Sequence, residues 1–154
     1  MRTIRMIILC VLTAAPLLSC HKTTDEDKVG KVLTGIQRSA EEKQIRTILG
    51  HLSKFYHDPQ GSDYEGIKGL LAYYFFQHQK VSVYLTDRVV TVQGASAHAT
   101  FQAVLTGRGP DASAVNVLPE ALGVYTFDVT FAKEEGEWKV VSATWTRTGN
   151  SLPQ

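Results

Sequence analysis

Ala97-His98-Ala99-Thr100-Phe101-Gln102-Ala103-Val104-Leu105-Thr106 is the stretch that decides the fold. Ala97, Ala99, Phe101, Ala103 and Leu105 alternate with His98, Thr100, Gln102, Val104 and Thr106. A period of two is the mark of a strand with one buried face. Tyr125, Phe127, Val129 and Phe131 repeat the pattern against Val124, Thr126, Asp128 and Thr130. So do Val81, Val83 and Leu85, and the run resumes over Val89 to Val92 after a break at Asp87-Arg88. Gly94 marks a turn, and Lys133-Glu134-Glu135-Gly136 reads as a hairpin turn with Gly136 at positive φ. Glu137 to Arg147 is the last strand. Its faces stay open: Trp138 and Val140 point one way, Val141, Ala143 and Trp145 the other.

Upstream the period is helical. Ser39-Ala40-Glu41-Glu42 reads as a capping box. Ile45, Ile48, Leu49, Leu52, Phe55 and Tyr56 follow at helical spacing, which predicts a helix to about His57. Asp58-Pro59-Gln60-Gly61-Ser62 is turn chemistry. Ser62 or Asp63 caps a second helix to about Phe76, with Ile67, Leu70, Leu71, Tyr74 and Phe75 as its stripe. Helices followed by hairpin-linked strands give an α+β class. The expected architecture is N-terminal helices packed on a curved antiparallel sheet of about four to six strands. Gly107 to Glu120 is expected as a long loop and 149–154 as a frayed tail.

The N-terminus carries an address. Met1-Arg2-Thr3-Ile4-Arg5 is basic, and Met6 to Leu18 is apolar apart from Thr13 and Pro16. Polarity then switches at Cys20-His21-Lys22. A basic start and an apolar run of about 7–15 residues describe a secretory signal, too short to span a bilayer as a mature helix. The segment resembles a bacterial lipoprotein signal, with Leu17, Ser19 and Cys20 on the lipobox pattern and Leu18 larger than is common there. That resemblance implies a signal peptide over 1–19, acylation of Cys20, and a lipid bilayer as partner. His21 in place of an aspartate implies the outer membrane, facing the periplasm. Residues 20–38 are then lipid attachment and tether, although Val29, Val32, Leu33 and Ile36 leave open a docked helix. The folded domain is expected over 39–148.

Composition excludes several classes. Lys plus Arg number 16 against 15 Asp plus Glu, and loss of Arg2 and Arg5 with the signal leaves 14 against 15. This balance argues against a nucleic-acid partner, which requires a basic patch. Cys10 leaves with the signal and Cys20 is the lipid site, so the mature domain has no disulfide and rests on its own core.

From Ser39 to Arg147 the chain resembles the nuclear transport factor 2-like superfamily of cone-shaped α+β domains. Tyr73-Tyr74-Phe75-Phe76 before the first long strand, and Glu135-Gly136-Glu137-Trp138-Lys139-Val140-Val141 in the closing hairpin, carry the likeness. It implies a sheet curved around the helices, with a pocket between them. Members include enzymes, binding proteins and interaction modules, so fold alone leaves function open.

The candidate pocket lining is Tyr56, Tyr74, Ala99, Phe101, Tyr125 and Phe127. Either the aromatic rings fill the space beside the alanines, or the alanines leave room for an apolar ligand. The resembled isomerases pair a pocket carboxylate with tyrosines. Here Asp87 falls at a strand break and Asp128 on the polar face, so no catalytic residue is assigned. His98 and Asp128 can meet across neighbouring strands on that polar face, as an exposed pair or as an acid–base pair; the face suits solvent or a polar subunit contact such as a homodimer. His51, His57, Asp58, His78 and His98 offer no ligand pair on one helical face, so no metal and no cofactor are expected. The reading is a non-catalytic envelope domain that binds an apolar small molecule or an envelope protein. Its rivals are a small isomerase- or cyclase-type enzyme and a subunit of a secretion or envelope complex.

Overall fold

The structure, a computed structural model, describes residues 23–108 and 120–148. The expected signal peptide, Cys20, residues 109–119 and the tail lie outside the described residues. Three helices precede four strands: α1 (Asp25–Glu41), α2 (Ile45–Gly50), α3 (Tyr64–Gln77), β1 (Lys80–Gln93), β2 (Ser96–Arg108), β3 (Glu120–Glu134) and β4 (Glu137–Thr148). The strands form one antiparallel sheet in the order β1-β2-β3-β4, with the helices on one face.

Of the tether and the docked helix left open for 20–38, helix α1 is the docked helix from Asp25 on. From Asp25 onward the segment is helix, and the box that starts it is Thr24 with Asp27 rather than Ser39 with Glu42. Thr24 Oγ1 accepts from the Asp27 amide at 3.1 Å, and Asp27 Oδ2 accepts from the Thr24 amide at 3.0 Å. Ser39 is buried inside the last turn, and the chain breaks after it at Lys43, where φ is +55°. Gly30 and Gly35, residues of low helix propensity, are contact points. A Cβ on Gly35 would stand 2.9 Å from the His51 ring, and one on Gly30 3.9 Å from the Arg88 guanidinium. The stripe Val29, Leu33 and Ile36 faces the sheet core. Gln37 donates to the Val83 carbonyl at 2.7 Å and Glu41 accepts from the Val83 amide at 3.0 Å, which ties the helix to edge strand β1.

The helix expected over 39–57 is cut to the six residues of α2. Beyond it the backbone turns along the free edge of β4. Ser53 N donates to Val140 O, Val140 N to His51 O and His57 N to Val141 O. Those strand bonds outcompete a longer helix. Helix α3 starts as expected, with the Asp63 side chain accepting from the Gly66 amide at 2.8 Å.

The expected break at Asp87-Arg88 is a bulge within one long strand, with Asp87 at φ +51°. A second bulge settles the faces of β4. Phe131 pairs with Val140 but Thr130 pairs with Ser142, so Val141 is the extra residue. The shift puts Trp138 and Val140 on the same face as Ala143 and Trp145. Glu135 (φ +50°) and Gly136 (φ +87°) form the β3–β4 turn, where two successive positive φ values match the right-handed twist of the strands. Ala97, Ala99, Phe101, Ala103, Val129, Phe131, Trp138 and Val140 are buried beneath the helices.

Candidate functional site

The strand parity places one aromatic residue from each of β2, β3 and β4 on a single rung. Phe101 pairs with Phe127, and Phe127 with Trp145. Their ring centroids are 5.2 Å and 6.1 Å apart, in stacked arrangement. Tyr125 leans on the same row, 6.5 Å from Phe127. This rung is one wall of a cavity of about 320 Å³. Leu33 and Ile36 of α1, and Ile67, Leu70 and Leu71 of α3, form the opposite wall. Ile48, Leu52, Tyr56, Val129, Val140 and Ala143 close the interior. The aromatic and helical stripes are thus too far apart to fill the space between them.

Of the residues expected to line a pocket, Tyr56, Phe101, Tyr125 and Phe127 do so. Ala99 does not: it is wholly enclosed in the core, and so short a side chain leaves no surface toward the cavity. Tyr74 stands beside the cavity, its ring stacked on His78 at 4.8 Å. Burial, above all, pushes the Tyr74 hydroxyl up, with nearby Tyr125 adding to the effect and Arg147 opposing it.

Among the described residues, no carboxylate and no histidine lines the cavity. The polar side-chain atoms of its lining residues are the hydroxyls of Tyr56 and Tyr125 and the indole Nε1 of Trp145. The Tyr56 hydroxyl is already engaged, donating to Asp58 Oδ2 at 3.2 Å. Burial drives its pKa well above the ordinary phenol value, and the Asp58 charge adds to this. Asp58 is fully buried, and its other oxygen accepts from the Ser62 amide at 2.9 Å. This role as a buried acceptor goes beyond the turn chemistry and metal-ligand candidacy that Asp58 shows in the sequence. The spacing of Asp58 to Ser62 across Pro59 and Gly61 was the available signal for a carboxylate folded back on its own loop.

The other candidates lie elsewhere. His98 Nε2 and Asp128 Oδ1 are 2.7 Å apart, both half exposed on the outer face of the sheet. Asp87 is exposed at the β1 bulge. Among the described residues, no three of His, Cys, Asp and Glu gather as a metal-binding group. No helix among them is long and apolar enough to cross a membrane.

No protein-family profile matches the chain, and no curated protein does. Solved structures do. A candidate dehydratase from the NTF2-like family of Streptomyces avermitilis superposes with a TM-score of 0.68 at 15% identity, over 82% of this chain and 97% of that one. An NTF2-like protein with a cystatin-like fold from Novosphingobium aromaticivorans gives 0.66 at 14% identity, over 83% and 84%. A candidate aromatic ring hydroxylase from the same organism gives 0.65 at 19%, over 82% and 90%. At these identities the likeness shows the fold: helices on an open four-stranded antiparallel sheet, in the NTF2-like arrangement.

Proposed function

We propose that this chain is an envelope lipoprotein, held through acylated Cys20 at the outer membrane and facing the periplasm, whose domain binds an apolar small molecule without transforming it. The observation that carries the binding half is the cavity, with its aromatic rung and aliphatic helix wall. Apolar lining with a few polar groups is the usual make-up of a small-molecule site. General acid–base chemistry needs a titratable side chain within reach of the ligand. The nearest buried carboxylate, Asp58, lies behind Tyr56 rather than on the cavity wall. That arrangement favours holding a ligand over turning it over. The anchor half is supported by the Leu17 to Cys20 motif.

The test is titration with N-phenyl-1-naphthylamine, a neutral apolar fluorophore, of the wild type and of Ala143→Phe, which places a ring inside the cavity. Saturable emission from the wild type and none from the folded variant is expected. Equal emission from both would place the probe elsewhere and remove the reading.

A further inference from the structure

A charged side chain stands next to the cavity lining, in space left by one glycine. Gly123 sits on β3 at φ +138°, beside a bulge, and pairs with Leu105, which lines the cavity. Its missing side chain belongs to the inner face, because directly opposed residues share a face. Two other side chains take that space. A Cβ there would stand 3.0 Å from Arg147 Nε and 3.0 Å from Tyr125 Cε2. Arg147 is the direct partner of Tyr125 on β4, and the Val141 bulge has already put this part of β4 inside-facing. So the guanidinium lies along the inner face at the end of the aromatic rung, next to a cavity-lining tyrosine. Its outer part remains exposed, and among the described residues it forms no ion pair. Tyr74, from α3, is close enough to feel the charges of both Tyr125 and Arg147.

A guanidinium is a planar fork of donors that fits a carboxylate with two parallel bonds. The cavity beyond it is lined mainly by aliphatic and aromatic side chains. We propose that the cavity takes an amphipathic monocarboxylate, its tail between α3 and the Phe101–Phe127–Trp145 rung and its carboxylate on Arg147. The phenol of Tyr125 lies beside that head and is placed to donate to it. This proposal rests on the binding reading above and adds the chemical class of the ligand and the residue that selects it.

The experiment compares three probes of equal tail length: octanoate, octanol and octylammonium. The full chain is held in phosphatidylcholine nanodiscs, with empty discs subtracting partition into lipid. Trp145, in the cavity wall, supplies the emission signal. Octanoate is expected to bind about tenfold tighter than octanol, the order of advantage for a charge-assisted bond over a neutral one. Octylammonium should bind more weakly than either. In Arg147→Gln the octanoate advantage should vanish while octanol affinity stays as in the wild type. Octanol or octylammonium binding as well as octanoate would overturn the carboxylate assignment and leave apolar binding standing. Equal weakening of octanoate and octanol in Arg147→Gln would also overturn it, since the residue would then be structural. Binding of none of the probes would defeat the binding reading itself.

Discussion

Gly35 and His51 meet so closely that a Cβ on the glycine would stand 2.9 Å from the imidazole Nε2. The helix gives up helical propensity at Gly35, roughly 1 kcal/mol relative to alanine, and gains a bed for the ring. His51 is pushed below its ordinary value of 6.5, chiefly by burial and further by Lys139. The unfolded chain therefore takes up the proton more readily than the fold. This stabilisation is complete above 6.5 and is lost as pH falls through the lower folded value. In Gly35→Ala the ring must move toward solvent, so the His51 titration should shift upward, toward 6.5. Histidine ring proton shifts followed against pH check this; an unchanged titration would mean that the helix moved instead.

Asp25 fixes the start of α1 to the far hairpin. Lys28, first, and Lys133, next, hold its carboxylate at about 2 against an ordinary 3.8, with Lys133 at 3.2 Å. The contribution is full above 3.8 and lost as pH falls toward 2. Trp138, whose ring Lys133 overlies at 5.5 Å, reports on the contact. An acid-induced change in tryptophan emission between pH 4 and 2 is expected in the wild type and should be absent from Asp25→Asn.

Tyr56→Phe should leave the cavity in place and the fold weaker. It removes the hydroxyl that donates to Asp58, which is fully buried. A buried acceptor deprived of a donor costs about 1–3 kcal/mol. Urea denaturation should show that loss, with the naphthylamine probe still bound. A variant as stable as the wild type would show that Asp58 finds another donor.

Face assignment can be checked by three alanines. Phe131 is completely buried, Phe127 borders the cavity, and Asp128 is exposed on the outer side. A fully packed phenylalanine costs about 3–5 kcal/mol on truncation, and an exposed polar residue about 0.5 or less. Destabilisation should fall in the order Phe131→Ala, Phe127→Ala, Asp128→Ala. Asp128→Ala as the costliest of the three would invert the sheet.

On the proposed lipoprotein reading, membrane attachment would rest on the Cys20 thiol. Cys20→Ser should release the chain from the membrane fraction, because acyl chains supply ~0.8 kcal/mol per buried CH₂. Fractionation of cells carrying either form decides this, and a variant that stays with the membrane would remove the lipoprotein reading.

Much of the sheet was legible because alternation along β2 and β3 has no competing signal. Ala97 to Leu105 and Tyr125 to Phe131 face inward as parity requires. Parity failed on β4, since the extra residue Val141 is a fact of pairing with β3 and leaves no trace in β4 alone. Helix α1 was obscured by Gly30 and Gly35, whose partners Arg88 and His51 are distant in sequence. The same holds for the site. The aromatic wall could be read from spacing, but Arg147 could not, because its place beside Tyr125 depends on that bulge and on Gly123.

Helix α1 begins at the end of the sheet where Lys133 and Ala95 meet, close to both hairpin turns. Tyr125 and Arg147 lie eight or more residues back along their strands from that end, roughly 25–30 Å away at the rise of a strand. Between Cys20 and Asp25 there are only residues 21–24, a reach of at most ~3.6 Å per residue. A chain moored at Cys20 would therefore ride close against the bilayer on its hairpin end, with the guanidinium end turned outward. Cargo would then load from the aqueous compartment, and lipids of the home leaflet would have no direct way in.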